Sequence, residues 1–369
     1  GTKMGLGPAP DRAGVVVCTG GMAGMTDYDP ENLTVTVQAG TTLSSLQEAV
    51  RRDGLRVPLD PPHARQATVG GILAANSSGP RRLLHGAPRD LALGLRAALA
   101  GGSVIRAGGK TVKNVAGYDL TKLFVGSLGT LGVIAEATLR LRPVAEEERT
   151  LVLHCRGLDE AGELARRILA APDLLPAALE LLDGRAVDLL AERTAQALGP
   201  GAALVVALEG FAEEVAGQAR RLAALAPAVA LEDSVAVWSL LTDGVRDGAV
   251  ARAGVPAREL VHFMGVAARA AISLGLDCPA VAEAATGIVR LYPSHDSIDP
   301  AALVRWLQEV RLAARGMGGY MVLEKASPEV KASVAVWDDP GPALLVMERL
   351  KRTFDPRGVL NPGRFVGGI

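Results

Sequence analysis

Aromatic side chains are scarce in this chain: phenylalanine, tyrosine and tryptophan together make up 3% of 369 residues. Apolar residues reach 49%, so packed cores are expected, built from alanine, valine and leucine rather than from rings. Cysteine is scarce too. Cys18, Cys155 and Cys278 lie far apart and form neither a CxxC pair nor an iron–sulfur run, which reads as reduced cytosolic thiols serving as small buried hydrophobes. Charge of one sign is not in excess: a formal net charge of -1 offers no electrostatic reason to bind nucleic acid or an anionic membrane surface. No apolar run approaches the ~18 residues that cross a bilayer. No signal peptide is visible, so the cytoplasm is the expected compartment. The Walker pattern is missing, and so is a GxGxxG between strand and helix with an acidic residue downstream, which excludes those two ready-made nucleotide sites. No two of His63, His85, His154, His262 and His295 stand at metal-ligand spacing, so no metal site is expected.

Glycine is abundant, with 43 residues. The length suggests about two domains at ~150 residues each. The barest stretch is TVGGILAANSSGP, residues 68 to 80, in which ten of thirteen positions are Gly, Ala, Ser, Thr, Asn or Pro. Glycines let a backbone approach a ligand and expose N–H groups, and successive N–H groups can cradle an anion. The N–H groups of Gly70 and Gly71 are the expected contacts. Taken alone, the stretch reads equally well as a tight turn entering a small-residue helix packed on a sheet. It has companions, however: GSLGTLG at 126–132 is a second bare loop feeding a strand, and the opening GTK looks like the tail of a third. Three such loops suit a long ligand with several polar segments.

Residues 33–39, LTVTVQA, alternate as a half-buried strand, and LSSLQEAVRRDG predicts a helix with Leu43, Leu46 and Val50 on one face and Gly54 past its end. After about residue 150, strands (LVLH, ALELL, ALVVAL, GIVRLYP, GYMVLE) alternate with helices (EAGELARRILAA, EEVAGQARRLAAL, PAALVRWLQEVRLAAR), which implies sheet-plus-helix layers. The last of these helices has Asp299 as its expected N-cap and Pro300 at its first position. A final helix is predicted over 342–354. No repeat of fixed period is visible.

DPPHARQATVGGILAANSSGPRRLLHG, RDLALGLR and GGKTVKNVAGYDLTKLFVGSLGTLGVIAEATLRLRP together resemble the FAD-binding (PCMH-type) domain of the vanillyl-alcohol-oxidase-type flavoproteins. The tail WDDPGPALLVMERLKRTFDPRGVLNPGRFVGGI is similar to the end of one branch, the FAD-binding subunits (GlcE) of bacterial glycolate oxidase. The resemblance covers most of residues 1–145 and about 320–369; the middle is matched only loosely. It implies an α+β fold: a PCMH-type FAD-binding domain of two α+β subdomains at 1–145, a ferredoxin-like α+β cap at 146–325, and a C-terminal segment, 326–369, returning to the FAD domain. It also implies FAD as cofactor. Thr68, Val69, Gly70 and Gly71 would line its pyrophosphate and ribityl part, and Asn76 and Gly79 would continue that wall. Gly126, Ser127 and Gly129 would support the domain near the flavin, Ile134 would sit at the adenine end, and Pro61 and Pro62 would position the preceding loop. Asn361-Pro362-Gly363-Arg364 would close back on the domain. Lys113, Asn114, Tyr118 and Asp119 read as local scaffolding, and Arg81 and Arg82 either as a solvated pair or as residues near the phosphates.

The chain departs from the pattern in two places. The family's first cofactor loop ends in a run like GGGTK, and this chain starts at the final Gly-Thr-Lys, so the resemblance implies that an upstream part is missing. A hydrogen bond to a charged group is worth roughly 1.5–3 kcal/mol, so without two or three such donors FAD is expected to be held weakly. The closely spaced histidines that related hydroxy-acid enzymes carry are also absent. No catalytic residue is identified; His262, read as a strand histidine, and Glu324 and Lys325, read as facing a cleft, are minor candidates. The implied role is a subunit of a glycolate oxidase or dehydrogenase, in which a second FAD-containing subunit carries the hydroxy-acid site and an iron–sulfur subunit takes the electrons. Any membrane association would come through those partners. The competing reading is a self-sufficient FAD-linked oxidase of another hydroxy acid or alcohol.

Overall fold

The computed structural model describes residues 1–10, 14–110, 118–196, 198–294 and 300–369. Asn114, Lys113, His295 and the expected cap Asp299 lie outside the described residues. The chain divides into two units: residues 1–79, 85–144 and 339–369 form the first, and residues 80–84 and 145–338 the second.

The first unit carries the strands β1 (Met25–Asp29), β2 (Thr34–Gln38), β3 (Leu55–Arg56), β4 (Ala92–Ala98), β5 (Val104–Gly108), β6 (Val133–Arg140) and β7 (Arg142–Pro143). Its helices are α1 (Leu43–Arg51), α2 (Val69–Ala75), α3 (Arg82–His85, shared with the second unit), α4 (Pro88–Leu91) and α5 (Leu120–Phe124). Five strands form an antiparallel sheet in the order β1-β2-β6-β4-β5, and β3 pairs with β7. The pleat sends Val35, Val37, Ala137 and Leu139 toward the helices, where Leu43, Leu46 and Val50 of α1 and Ile72 and Leu73 of α2 meet them in one core. On the opposite face the Thr36 and Thr138 hydroxyls lie 2.9 Å apart. Helix α1 starts where Thr42 accepts the Ser45 N–H.

The second unit runs β8 (Glu147–Cys155), α6 (Leu158–Ala170), β9 (Ala178–Leu182), α7 (Gly184–Thr194), β10 (Ala202–Gly210), α8 (Ala212–Ala223), β11 (Ala228–Leu231), α9 (Val235–Asp243), β12 (Val250–Gly254), α10 (Leu260–Ser273), β13 (Ala280–Glu283), β14 (Ile288–Leu291), α11 (Pro300–Gly316), β15 (Tyr320–Lys325) and α12 (Pro328–Ser333). Its eight strands form one antiparallel sheet in the order β11-β8-β10-β9-β13-β14-β12-β15. That order contains a repeat invisible in the sequence. Strands β8 to β11 with α6 and α8 make a ferredoxin-like βαββαβ unit (α7 is an addition between its middle strands), and β12 to β15 with α10 and α11 make a second. The two join through their second strands, β9 and β13. The repeat lies in topology, not in residue identity.

Helices α6, α8, α10 and α11 cover one face of this sheet over a core that includes Phe263 and Trp306. Helix α13 (Ala343–Phe354) returns the chain to the first unit. His262, read from sequence as a strand residue, lies on α10; an apolar run of this length does not distinguish a buried helix from a strand. Of the thiols, Cys155 is buried, but Cys18 is exposed, contrary to the expectation of a buried hydrophobe.

Candidate functional site

The bare stretch folds as the helix α2, capped at one end by Thr68, whose hydroxyl accepts the Gly71 N–H at 3.3 Å. At the other end Asn76 adopts the left-handed conformation, φ 47°, and the N–H groups of Asn76 and Ser77 close on the carbonyls of Leu73 and Ile72. The expectation that the Gly70 and Gly71 N–H groups stand free is corrected here. Val69 donates to the Thr41 carbonyl and Gly70 to the Ala39 carbonyl, at 2.9 and 2.8 Å. The physical reason for Gly70 is packing, because a Cβ there would lie 2.6 Å from the Ala39 Cβ. Gly71 differs: it is exposed, and a Cβ would meet only the Thr68 hydroxyl, at 3.2 Å.

The structure brings the two bare segments together. The N–H groups of Gly126 and Leu128 donate to the Leu73 and Ala74 carbonyls, at 2.9 and 2.8 Å, so the second loop satisfies carbonyls at the end of α2. Gly126 and Gly129 both have positive φ, 88° and 71°, and Ser127 is tied by its hydroxyl to the Phe124 carbonyl. The Asn361 side chain donates to the Leu128 carbonyl at 2.7 Å, and Arg364 binds the carbonyls of Met4, Leu6 and Pro8. Lys351 of α13 donates to the Thr130 and Leu360 carbonyls and to Asp355. Burial works against the Asp355 carboxylate, but Lys351 and two backbone N–H groups hold its pKa below the ordinary range.

The other expected residues fall into distinct environments. Gly79 donates to the Asp60 carboxylate at 3.1 Å, and a Cβ there would collide with the Asp60 carbonyl, so the loop holding buried Pro61 and half-buried Pro62 is fastened to the end of the wall. Ile134, expected at the adenine end, is a core residue of β6 with 5% exposure. Tyr118 is 96% exposed, while Asp119 caps α5. His85 is buried beside Arg56.

The wall fits an extended flavin nucleotide in the chemistry it offers. It has an exposed glycine, the Thr68 hydroxyl, and Asn76, whose Oδ1 accepts from the Arg89 N–H and whose side-chain amide also carries donors.

Sequence reasoning missed a second feature. On the face of the eight-stranded sheet away from α6, α8, α10 and α11, the apolar half lies under α7 and α9, and the other half is charged. Glu148, Glu180, Glu209, Arg252, Glu283, Arg290 and Glu324 occupy alternate strand positions there. Arg290 pairs with Glu283 at 3.2 Å and Arg252 with Glu324 at 2.7 Å. Burial disfavours the Arg290 charge, but Glu283 and its neighbours outweigh it and raise the guanidinium pKa. Glu324 is therefore ion-paired, and Lys325 lies 3.8 Å from Asp247. Arg81 and Arg82 are not a solvated pair. They belong to the second unit, where Arg81 binds Glu209 at 2.5 Å and Glu148 at 2.7 Å, and Arg82 approaches Glu283 at 4.0 Å. The signal available in sequence was the oppositely charged residues within otherwise apolar strands, whose pairing only topology reveals. Among the described residues no group of three His, Cys, Asp or Glu side chains is placed to hold a metal, and no described helix is long and apolar enough to cross a membrane.

Known proteins share these features. Residues 1–108 match the FAD binding domain family, and residues 144–365 match the C-terminal domain of FAD linked oxidases. The chain is 32% identical to glycolate oxidase subunit GlcD of Bacillus subtilis, over 99% of this chain and 82% of that protein. It is 32% identical to the D-lactate dehydrogenase of Archaeoglobus fulgidus (99% and 84% covered) and 29% identical to glycolate oxidase subunit GlcE of Escherichia coli (92% and 84%). Its fold matches p-cresol methylhydroxylase with a TM-score of 0.69 at 16% identity, over 94% of this chain and 78% of that one. These matches make the chain a member of the FAD-linked oxidases, FAD-dependent oxidoreductases that act on hydroxy acids such as glycolate and D-lactate.

Proposed function

We propose that this chain is the FAD-binding subunit of a glycolate dehydrogenase that works with a second flavoprotein and an iron–sulfur protein. The observation that carries the flavin role is the junction of α2 with the 126–132 loop, two bare segments joined by backbone hydrogen bonds into one wall. Thr68, Gly71 and Asn76 would hold the cofactor there: Thr68 and Asn76 by hydrogen bonds, Gly71 by allowing close approach. Bound FAD supplies the hydride acceptor. The chain's own groups bind and orient the cofactor. Similarity to both GlcD and GlcE supports a glycolate oxidase assembly, and the scattered histidines favour a partner as carrier of the hydroxy-acid site.

Anaerobic titration of the purified chain with glycolate tests this. The flavin should stay oxidised with the chain alone and bleach when the partner subunits are added. Bleaching by a hydroxy acid with no partner would select the alternative, a self-sufficient FAD-linked dehydrogenase, which the equal similarity to an archaeal D-lactate dehydrogenase favours.

A further inference from the structure

Two carboxylate pairs face each other across neighbouring strands of the eight-stranded sheet. Glu209 of β10 is directly opposite Glu148 of β8, and Glu283 of β13 is directly opposite Glu180 of β9. Like charges directly opposite on adjacent strands repel. Glu209 and Glu283 are nearly fully buried, with side chains 3% and 4% exposed, so solvent screens them little. The Arg81 guanidinium binds both members of the first pair, through Nη1 to Glu209 and Nη2 to Glu148. Arg82 approaches Glu283 in the second, which Arg290 also binds. Leu83 packs against the apolar core of the same unit. Three consecutive side chains of an excursion five residues long therefore belong to the second unit.

The covalent position of that excursion is what matters. It begins one residue after Gly79, and Asn76 to Gly79 form the end of the flavin wall. We propose that Arg81 and Arg82 are positioning residues: by acting as counterions to the opposed carboxylates they anchor the chain that carries residues 76–79 and so hold the end of the wall in place. This rests on the flavin-binding reading of α2. The charge matters to the task, because an apolar residue at 81 would remove the guanidinium that binds both Glu148 and Glu209.

The test is hydrogen exchange on the full chain, followed at the Ser77 and Gly79 amides, which donate to the Ile72 carbonyl and the Asp60 carboxylate. Arg81→Met should speed exchange at both amides at least tenfold, with amides of the β2 and β6 core unchanged. Arg81→Met combined with Glu209→Gln, which removes the repulsion, should recover most of the protection. Apparent FAD affinity should follow the same order. Wild-type exchange rates at 77 and 79 in Arg81→Met would overturn the proposal. So would failure of Glu209→Gln to rescue, since that would make Arg81 a packing residue only. The exchange readout needs no cofactor, so loss of the flavin reading would appear separately, as absent FAD binding with the exchange pattern intact.

Discussion

Gly70 and Gly71 are adjacent, identical in chemistry and opposite in function. Gly70 is a packing glycine: its missing Cβ lets α2 settle on Ala39, just past the end of β2. Gly70→Ala should cost about 1–3 kcal/mol from overpacking, read as a lower melting temperature. Gly71 is exposed, and a Cβ there would press only on the Thr68 hydroxyl, so Gly71→Val should lower the melting temperature of the cofactor-free protein by no more than a few degrees while abolishing FAD binding; retention of FAD would refute its place in the wall. A second residue-scale effect concerns Asp183, the N-cap of α7, which accepts N–H groups from Ala186 and Ala280. Burial pushes its pKa up to about 6 from 3.8, against those two hydrogen bonds. A carboxyl whose pKa is raised by folding holds its proton more tightly in the folded state. Its contribution is therefore complete below about pH 4, falls as pH rises to about 6, and is flat above. At ~1.4 kcal/mol per pKa unit the loss is on the order of 3 kcal/mol. Melts of the wild type and Asp183→Asn at pH 4.5 and 7 should show the variant gaining relative stability at the higher pH.

At the scale of elements, α13 is joined to the flavin-wall unit by one buried cation. Lys351 reaches the carbonyls of Thr130 and Leu360 and the carboxylate of Asp355, which is 2% exposed. Lys351→Met strands that carboxylate and two carbonyls, and should destabilise the protein by about 3–5 kcal/mol. Adding Asp355→Asn should recover part of the loss in a denaturant titration. Elements were legible in sequence where periodicity was strong, as in α1, α6, α8 and α11. They were less legible where it was not: the mostly apolar α10 reads as a strand at His262, and the short β13 does not stand out. Within the wall, the bareness of 68–80 was plain. That its amides are consumed internally was not, because their acceptors, Ala39 and Thr41, come from another part of the chain.

At the scale of the whole molecule, neither unit is a continuous stretch of chain. The first needs residues 339–369, which supply Lys351, the Asn361 contact, Arg364 and the Phe354 ring packed edge-on against Phe124 at 5.5 Å. A fragment of residues 1–144 should therefore melt without a cooperative transition by circular dichroism, and adding a peptide of residues 339–369 should restore one. A sharp transition in the fragment alone would show these contacts to be dispensable.

The sequence by itself, through its resemblance to a flavoprotein family, indicated FAD, and its composition showed where the backbone is bare. Bare backbone at three places is a local property, readable from composition without knowing what lies opposite. The tertiary structure alone decided which glycine serves packing and which is left exposed, that α2 and the 126–132 loop form one wall, and that Arg81 and Arg82 answer carboxylates more than sixty residues away. These depend on strand order and register, and a doubled ferredoxin-like topology leaves no periodic trace in the residues that build it.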